Sequence, residues 1–181
     1  VGTGGGYFGP DIEMFFSRRI GVGPSGEPVP ILGGGRLTGT VGGMKIGLLS
    51  MGTKAVKGIT DANQYSLFRL KKELPNRTHF GGMVTALNHG GAEGYLNQSY
   101  SLDSQIGIGQ LSKFIVFGAI TETPGMDNDN AYAYRFELAR DTKQVSTSMS
   151  YNEVGKNFNP EMGYLKRENY RKWSGRIFTR F

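Results

Sequence analysis

Few residues in this chain are equipped for chemistry. The run Arg19-Ile20-Gly21-Val22-Gly23-Pro24-Ser25-Gly26 sets Gly21, Gly23 and Gly26 at the G-x-G-x-x-G spacing of a dinucleotide-binding loop. Such a loop needs a helix after it, whose N-terminus faces the pyrophosphate. Pro28 and Pro30 follow instead, then Gly33, Gly34 and Gly35. The prolines lack N–H donors and favour extended backbone, so no helix can begin there. A second match, Gly4, Gly6 and Gly9, has no strand before it and Pro10 after it. Both read as turn glycines, and no cofactor is expected.

The acidic run Asp127-Asn128-Asp129-Asn130 fails as a calcium loop. Ala131 stands at the third ligand position, Tyr132 where the sharp turn needs glycine, and Leu138 where a bidentate glutamate belongs. It reads as a solvated loop after Pro124-Gly125. Cysteine is absent, and His79 and His89 are the only histidines. That composition excludes disulfides, thiolate nucleophiles and multi-histidine metal sites. No G-x-S-x-G elbow occurs. Asp103, Glu122, Glu137 and Glu153 lie in or near strand-like runs and could pair for glycoside hydrolysis, but no spacing selects two of them. The net charge of +6 comes from basic residues spread along the chain, so no nucleic-acid partner is expected.

The elements that would position these groups repeat with a period of two. Tyr132, Tyr134, Phe136 and Leu138 share one side of an extended strand, with Ala133, Arg135, Glu137 and Ala139 on the other. Val145, Thr147, Met149 and Tyr151 alternate with serines and Asn152, which makes the pair an antiparallel hairpin. Leu37 and Val41 oppose Arg36, Thr38 and Thr40 before a Gly42-Gly43 turn. Phe68 and Leu70 alternate with Arg69 and Lys71 before Pro75-Asn76. Tyr100, Leu102, Ile106 and Ile108 alternate with Ser101, Asp103, Gln105 and Gly107. The run Leu111–Pro124 is apolar on both sides, and its orientation is left open. With "MFFSRRIG" and "YRKWSGRIFTRF", about ten strand segments of roughly eight to twelve residues are counted.

A soluble sandwich turns its apolar face inward, whereas an outer-membrane barrel turns it to lipid. Two features favour the barrel. The strands are long, and their apolar side is aromatic and often opens with tyrosine, as an interfacial girdle does. The 29 glycines, about twice the usual share, would fit a crowded or watery inner wall. Arg69, Lys71, Asp103, Arg135 and Glu137 are then expected to face the lumen, where opposite charges neutralise one another.

The blocks "FFSRRIG", "GEPVPILGGGRLTGTVGGMKIGLLSM", "SLFRLKKELPNRT", "DSQIGIG", "TETPG" and "YNEVGKNFNPEMGYLKRENYRK" resemble, in that order, a C-terminal β-barrel domain of unknown function in bacterial outer-membrane proteins. There it follows a module similar to a family-nine carbohydrate-binding domain. The resemblance covers about Phe15 to Phe178. It implies an outer-membrane location and a link to glycan binding or uptake, and it carries over no catalytic residue. Family members are longer, with strands on both sides, so residues 1–181 read as one barrel-type domain cut from a longer protein.

The expectation is therefore an all-β, antiparallel up-and-down meander forming part of an outer-membrane β-barrel. Its partners would be outer-membrane lipid, a glycan, and further strands or copies paired through open sheet edges. The rival readings are a soluble β-rich hydrolase or carbohydrate-active domain and a self-associating structural β protein.

Overall fold

The structure, a computed structural model, describes residues 12–180; the glycines at 4, 6 and 9 and the terminal Phe181 lie outside the described residues. Regular structure there consists of eleven strands and one 3-10 turn. In chain order the strands are β1 (Ile12–Glu13), β2 (Ile31–Val41), β3 (Met44–Thr53), β4 (Asn63–Leu74), β5 (Thr78–His89) and β6 (Leu96–Ile108). There follow β7 (Ser112–Glu122), β8 (Tyr132–Asp141), β9 (Val145–Val154), β10 (Tyr164–Leu165) and β11 (Tyr170–Thr179). Nine form a single sheet in the order β11-β9-β8-β7-β6-β5-β4-β3-β2, and every neighbouring pair is antiparallel. The all-β antiparallel meander read from the alternation is thus observed. Strands β2 and β11 are its two edges and are not paired with each other.

Turn chemistry fixes the register. Gly42 (φ 57°) and Gly43 (φ 75°) both adopt left-handed backbone, giving a two-residue turn that sets Val41 opposite Met44. Asn76 and Arg77 take the same region after Pro75 and set Leu74 opposite Thr78. The short connections 42–43, 75–77, 109–111 and 142–144 all lie at one end of the sheet. The longer ones, 54–62, 90–95, 123–131 and 155–169, lie at the other.

A cap made of residues 12–30 and 155–165 covers one face at the long-loop end. Its small ladder pairs Ile12 with Leu165 and Glu13 with Tyr164, and Phe16 N–H donates to the Met162 carbonyl at 2.8 Å. Met14 and Phe158 pack on Met83, Phe117, Ala119, Ala133 and Val154. Met162 packs on Tyr65 and Leu87, with Phe15 and Ile20 beside it. These two clusters are the buried hydrophobic groupings, and both lie between cap and sheet. The expected strand in "MFFSRRIG" is not one. Only Ile12–Glu13 pairs; Phe15 packs into the clusters while Phe16 meets the Tyr164 ring at a tilt, 6.0 Å between ring centres, and Ser17–Arg19 closes a 3-10 turn. The segment's apolar side chains pack across the sheet face instead of pairing along an edge.

The opposite face is apolar and uncovered. Leu102 is 72% exposed, Trp173 68% and Ile177 76%, with Leu37, Phe80, Phe136, Leu138 and Met149 also exposed. In β7 the orientation left open by sequence is settled by register: Phe117 and Ala119 face the cap, while Phe114, Val116 and Ile120 lie on the apolar side. The strand glycines depart from expectation. Gly35, Gly39, Gly118 and Gly175 belong to the apolar side, where an added methyl would meet nothing within 4 Å. On the capped face Gly34, Gly81 and Gly107 are crowded.

Candidate functional site

Strand pairing sets the five predicted charged residues on the capped face. Lys71, Gly81, Asp103, Phe117 and Arg135 form one row across the sheet, and Glu73, His79, Gln105, Ile115 and Glu137 the next. Arg69 grips Asp103 through both guanidinium nitrogens, Nη2 at 2.9 Å from Oδ2. His79 Nε2 lies 3.7 Å from the same carboxylate. Gly81 makes the fork possible, because a methyl there would sit 2.6 Å from Arg69 Nη2 and 3.0 Å from Asp103 Oδ1. Lys71 and Lys45 converge on Glu73 at 3.4 and 2.9 Å. Arg135 pairs with Glu137.

These charges fall into two separate groups. Phe117 and Ile115 of β7 stand between the Arg69–Asp103 group and the Arg135–Glu137 pair. Arg69 and Glu137 are each only 8% exposed, so both pairs hold charge in surroundings poor in water. Each carboxylate is already matched by a guanidinium in bidentate or close geometry. Asp103 and Glu137 are thus each engaged by an arginine. Glu122 ends β7 in solvent, and Glu153 lies on the other face. The four carboxylates singled out by sequence do not converge.

Glu153 centres a polar cluster on the apolar side. Its carboxylate accepts hydrogen bonds from Tyr132, Tyr134 and Tyr151 hydroxyls at 2.9, 2.6 and 2.5 Å, and Arg171 Nε lies at 3.0 Å. The tyrosine row and the hairpin were legible; their common target was not, since it depends on the register that sets Tyr134 opposite Glu153. Next to this cluster the apolar face carries a groove of about 910 Å³, walled by Phe68, Phe80, Tyr100, Leu102 and Tyr134 over Gly82 and Gly118.

A third polar group joins cap to sheet. His79 and His89 lie on the same face of β5 at opposite ends. His89 Nε2 is 2.7 Å from Glu161 Oε2, its ring stacks on Tyr95 at 4.3 Å, and Tyr95 donates its hydroxyl to Glu161 at 3.2 Å. Asn159 Nδ2 donates to the same carboxylate at 2.9 Å. Burial, and then the Glu161 charge, hold the Tyr95 hydroxyl above its ordinary pKa, so it remains a donor. Buried Asn97 donates to the Asn159 carbonyl at 3.0 Å and to Thr123 Oγ1 at 2.8 Å. The 123–131 loop is tied in as well, because Asn157 Nδ2 donates to the Asp127 and Asp129 carbonyls at 3.1 and 2.7 Å. Sequence reasoning missed Glu161, since nothing in its spacing places it against a histidine 72 positions away. No group of three or more metal-ligating side chains occurs among the described residues.

Fold and site together define an all-β chain: a nine-stranded antiparallel meander with one apolar, uncovered face and one polar, end-capped face. No family model, curated protein or solved structure matches it.

Proposed function

We propose that this chain is a membrane-embedded, non-enzymatic part of an outer-membrane β-barrel, with the apolar face toward lipid and the capped face toward a polar lumen. The observation that carries the reading is the inverted burial. A leucine, a tryptophan and an isoleucine stand about two-thirds or more exposed, while Arg69, Glu137 and their partners are enclosed on the opposite side. In water this arrangement leaves a broad apolar surface uncovered, far beyond isolated exposed residues. Hydrocarbon removes that penalty. Strands of 10 to 13 residues fit a tilted crossing, which takes roughly 9–11. Short turns at one end and long loops at the other match the usual polarity of such barrels, with the long loops outside the cell.

Edge chemistry adds a constraint. Nine alternating strands leave β2 and β11 pointing the same way, so direct closure would require a parallel seam. An antiparallel seam requires an odd number of additional strands. Edge N–H and C=O groups cannot stay unpaired in lipid, so strands from a longer chain or from another copy must cover them. The soluble hydrolase reading loses support here, because its carboxylates are dispersed or matched by arginine. A link to glycans stays part of the proposal.

Trp173 supplies the test, being the only tryptophan in the chain and lying on the apolar face. Reconstituted into vesicles, its emission should be quenched by lipids brominated along the acyl chain. A water-exposed emission maximum, unquenched by any brominated lipid, or a stable monomer in plain buffer would refute the proposal.

A further inference from the structure

Between the cap and the long-loop ends of β4 and β5 lies a cavity of about 530 Å³, within the roughly 300–1,000 Å³ of small-molecule sites. We infer that it is a binding site for an acidic sugar, a hydroxylated ring bearing a carboxylate. The inference rests on the barrel reading only for its address: the long-loop end would face the outside of the cell.

Three kinds of group converge. Arg18 and Arg19, from the 3-10 turn, line the cavity and have no salt-bridge partner among the described residues. Unmatched guanidiniums beside a cavity call for a planar anion, and a carboxylate fits their fork. The rings of Phe16, Tyr65 and Tyr164 supply flat apolar walls of the kind that receive the C–H face of a sugar. Hydroxyl recognition comes from Asn63 and Glu161. The Oδ1 of Asn63 is buried without a hydrogen-bond partner among the described residues, although its Nδ2 donates to Thr60 Oγ1 at 3.2 Å. A buried acceptor left unmatched is costly, and a ligand hydroxyl would satisfy it. Glu161 is fixed by His89, Tyr95 and Asn159, so one wall is already rigid before a ligand arrives.

Purely apolar ligands would leave the guanidiniums and Asn63 unserved. A bare inorganic anion would leave the aromatic walls unused. The acidic sugar uses all three.

The experiment titrates the full chain in detergent with a galacturonate trisaccharide, its fully methyl-esterified counterpart and inorganic phosphate, by calorimetry. The acid trisaccharide should bind. Methyl esterification should weaken it at least about tenfold, as should R18Q/R19Q, because each removes a charge-assisted bond. These arginines are exposed, so the variant should keep its fold, checked by unchanged Trp173 emission. Asn63→Asp, which keeps an acceptor but adds a negative charge to the same cavity, should weaken the acid and spare the ester. Absence of binding by the acid, equal binding of acid and ester, or phosphate binding as tightly as the trisaccharide would each overturn the inference. Quenching of Trp173 by brominated lipid is read separately, so a failed ligand titration and a failed membrane assignment remain distinguishable.

Discussion

Replacing Leu102 by arginine separates hydrocarbon from water at one position. Leu102 is the central residue of the 13-residue strand β6 and is 72% exposed on the apolar face. Facing water, a leucine this exposed loses little on becoming polar, and the change should fall within about ±0.5 kcal/mol. At the centre of a bilayer the same substitution costs about 2–4 kcal/mol. That is roughly a 30- to 700-fold shift in the folding equilibrium at 1.4 kcal/mol per decade. Leu96 provides the internal control. It begins the same strand on the same face, so an arginine there should sit near the interface and cost about 0–1 kcal/mol. Urea unfolding from short-chain phospholipid vesicles, followed by Trp173 emission, measures both. A depth-dependent difference of at least about 1 kcal/mol between L102R and L96R is expected. Equal effects, or two variants both indistinguishable from wild type, would refute the orientation argued here, because no lipid gradient would then be felt across β6.

Asp103→Ala strands the Arg69 guanidinium beside Lys71 and His79, and should destabilise by about 3–5 kcal/mol in the same unfolding assay. The joint R69M/D103L change should recover most of that loss, since two enclosed charges leave together. Tyr134→Phe removes one of three hydroxyls from Glu153 and should destabilise, read as a lowered urea midpoint with an unchanged slope. Asn97→Ala cuts a donor bond to the Asn159 carbonyl of the cap and another to Thr123 of the 123–131 loop, and limited proteolysis should then cleave within 155–165 faster while the meander stays intact. Because the chain has no cysteine, L37C and I177C report cleanly on the edges: if copies meet through β11, I177C should cross-link as a dimer in vesicles, and no cross-link at either site would place other strands there.

The alternation of side chains by itself determined a good deal. Tyr132, Tyr134, Phe136 and Leu138 had to share one side and Arg135 and Glu137 the other, because a strand leaves its residues no third direction. Gly42-Gly43 and Pro75-Asn76 fixed two hairpins through backbone that few other residues adopt. From these the meander and the common face of Arg69, Lys71, Asp103, Arg135 and Glu137 were legible. Where the period gave no contrast, as in β7, direction was undetermined until Phe117 met the cap and Phe114 stacked with Phe136, 6.5 Å between ring centres. In Met14-Phe15-Phe16 the same signal misled, because a run of apolar residues does not say whether it will find a sheet edge or cross a face. Tertiary structure alone decided that Glu161 reaches His89, that three tyrosines turn to Glu153, and that Arg18 and Arg19 border a cavity. The His89–Glu161 contact spans 72 positions, and loop closure, not local periodicity, brings such residues together.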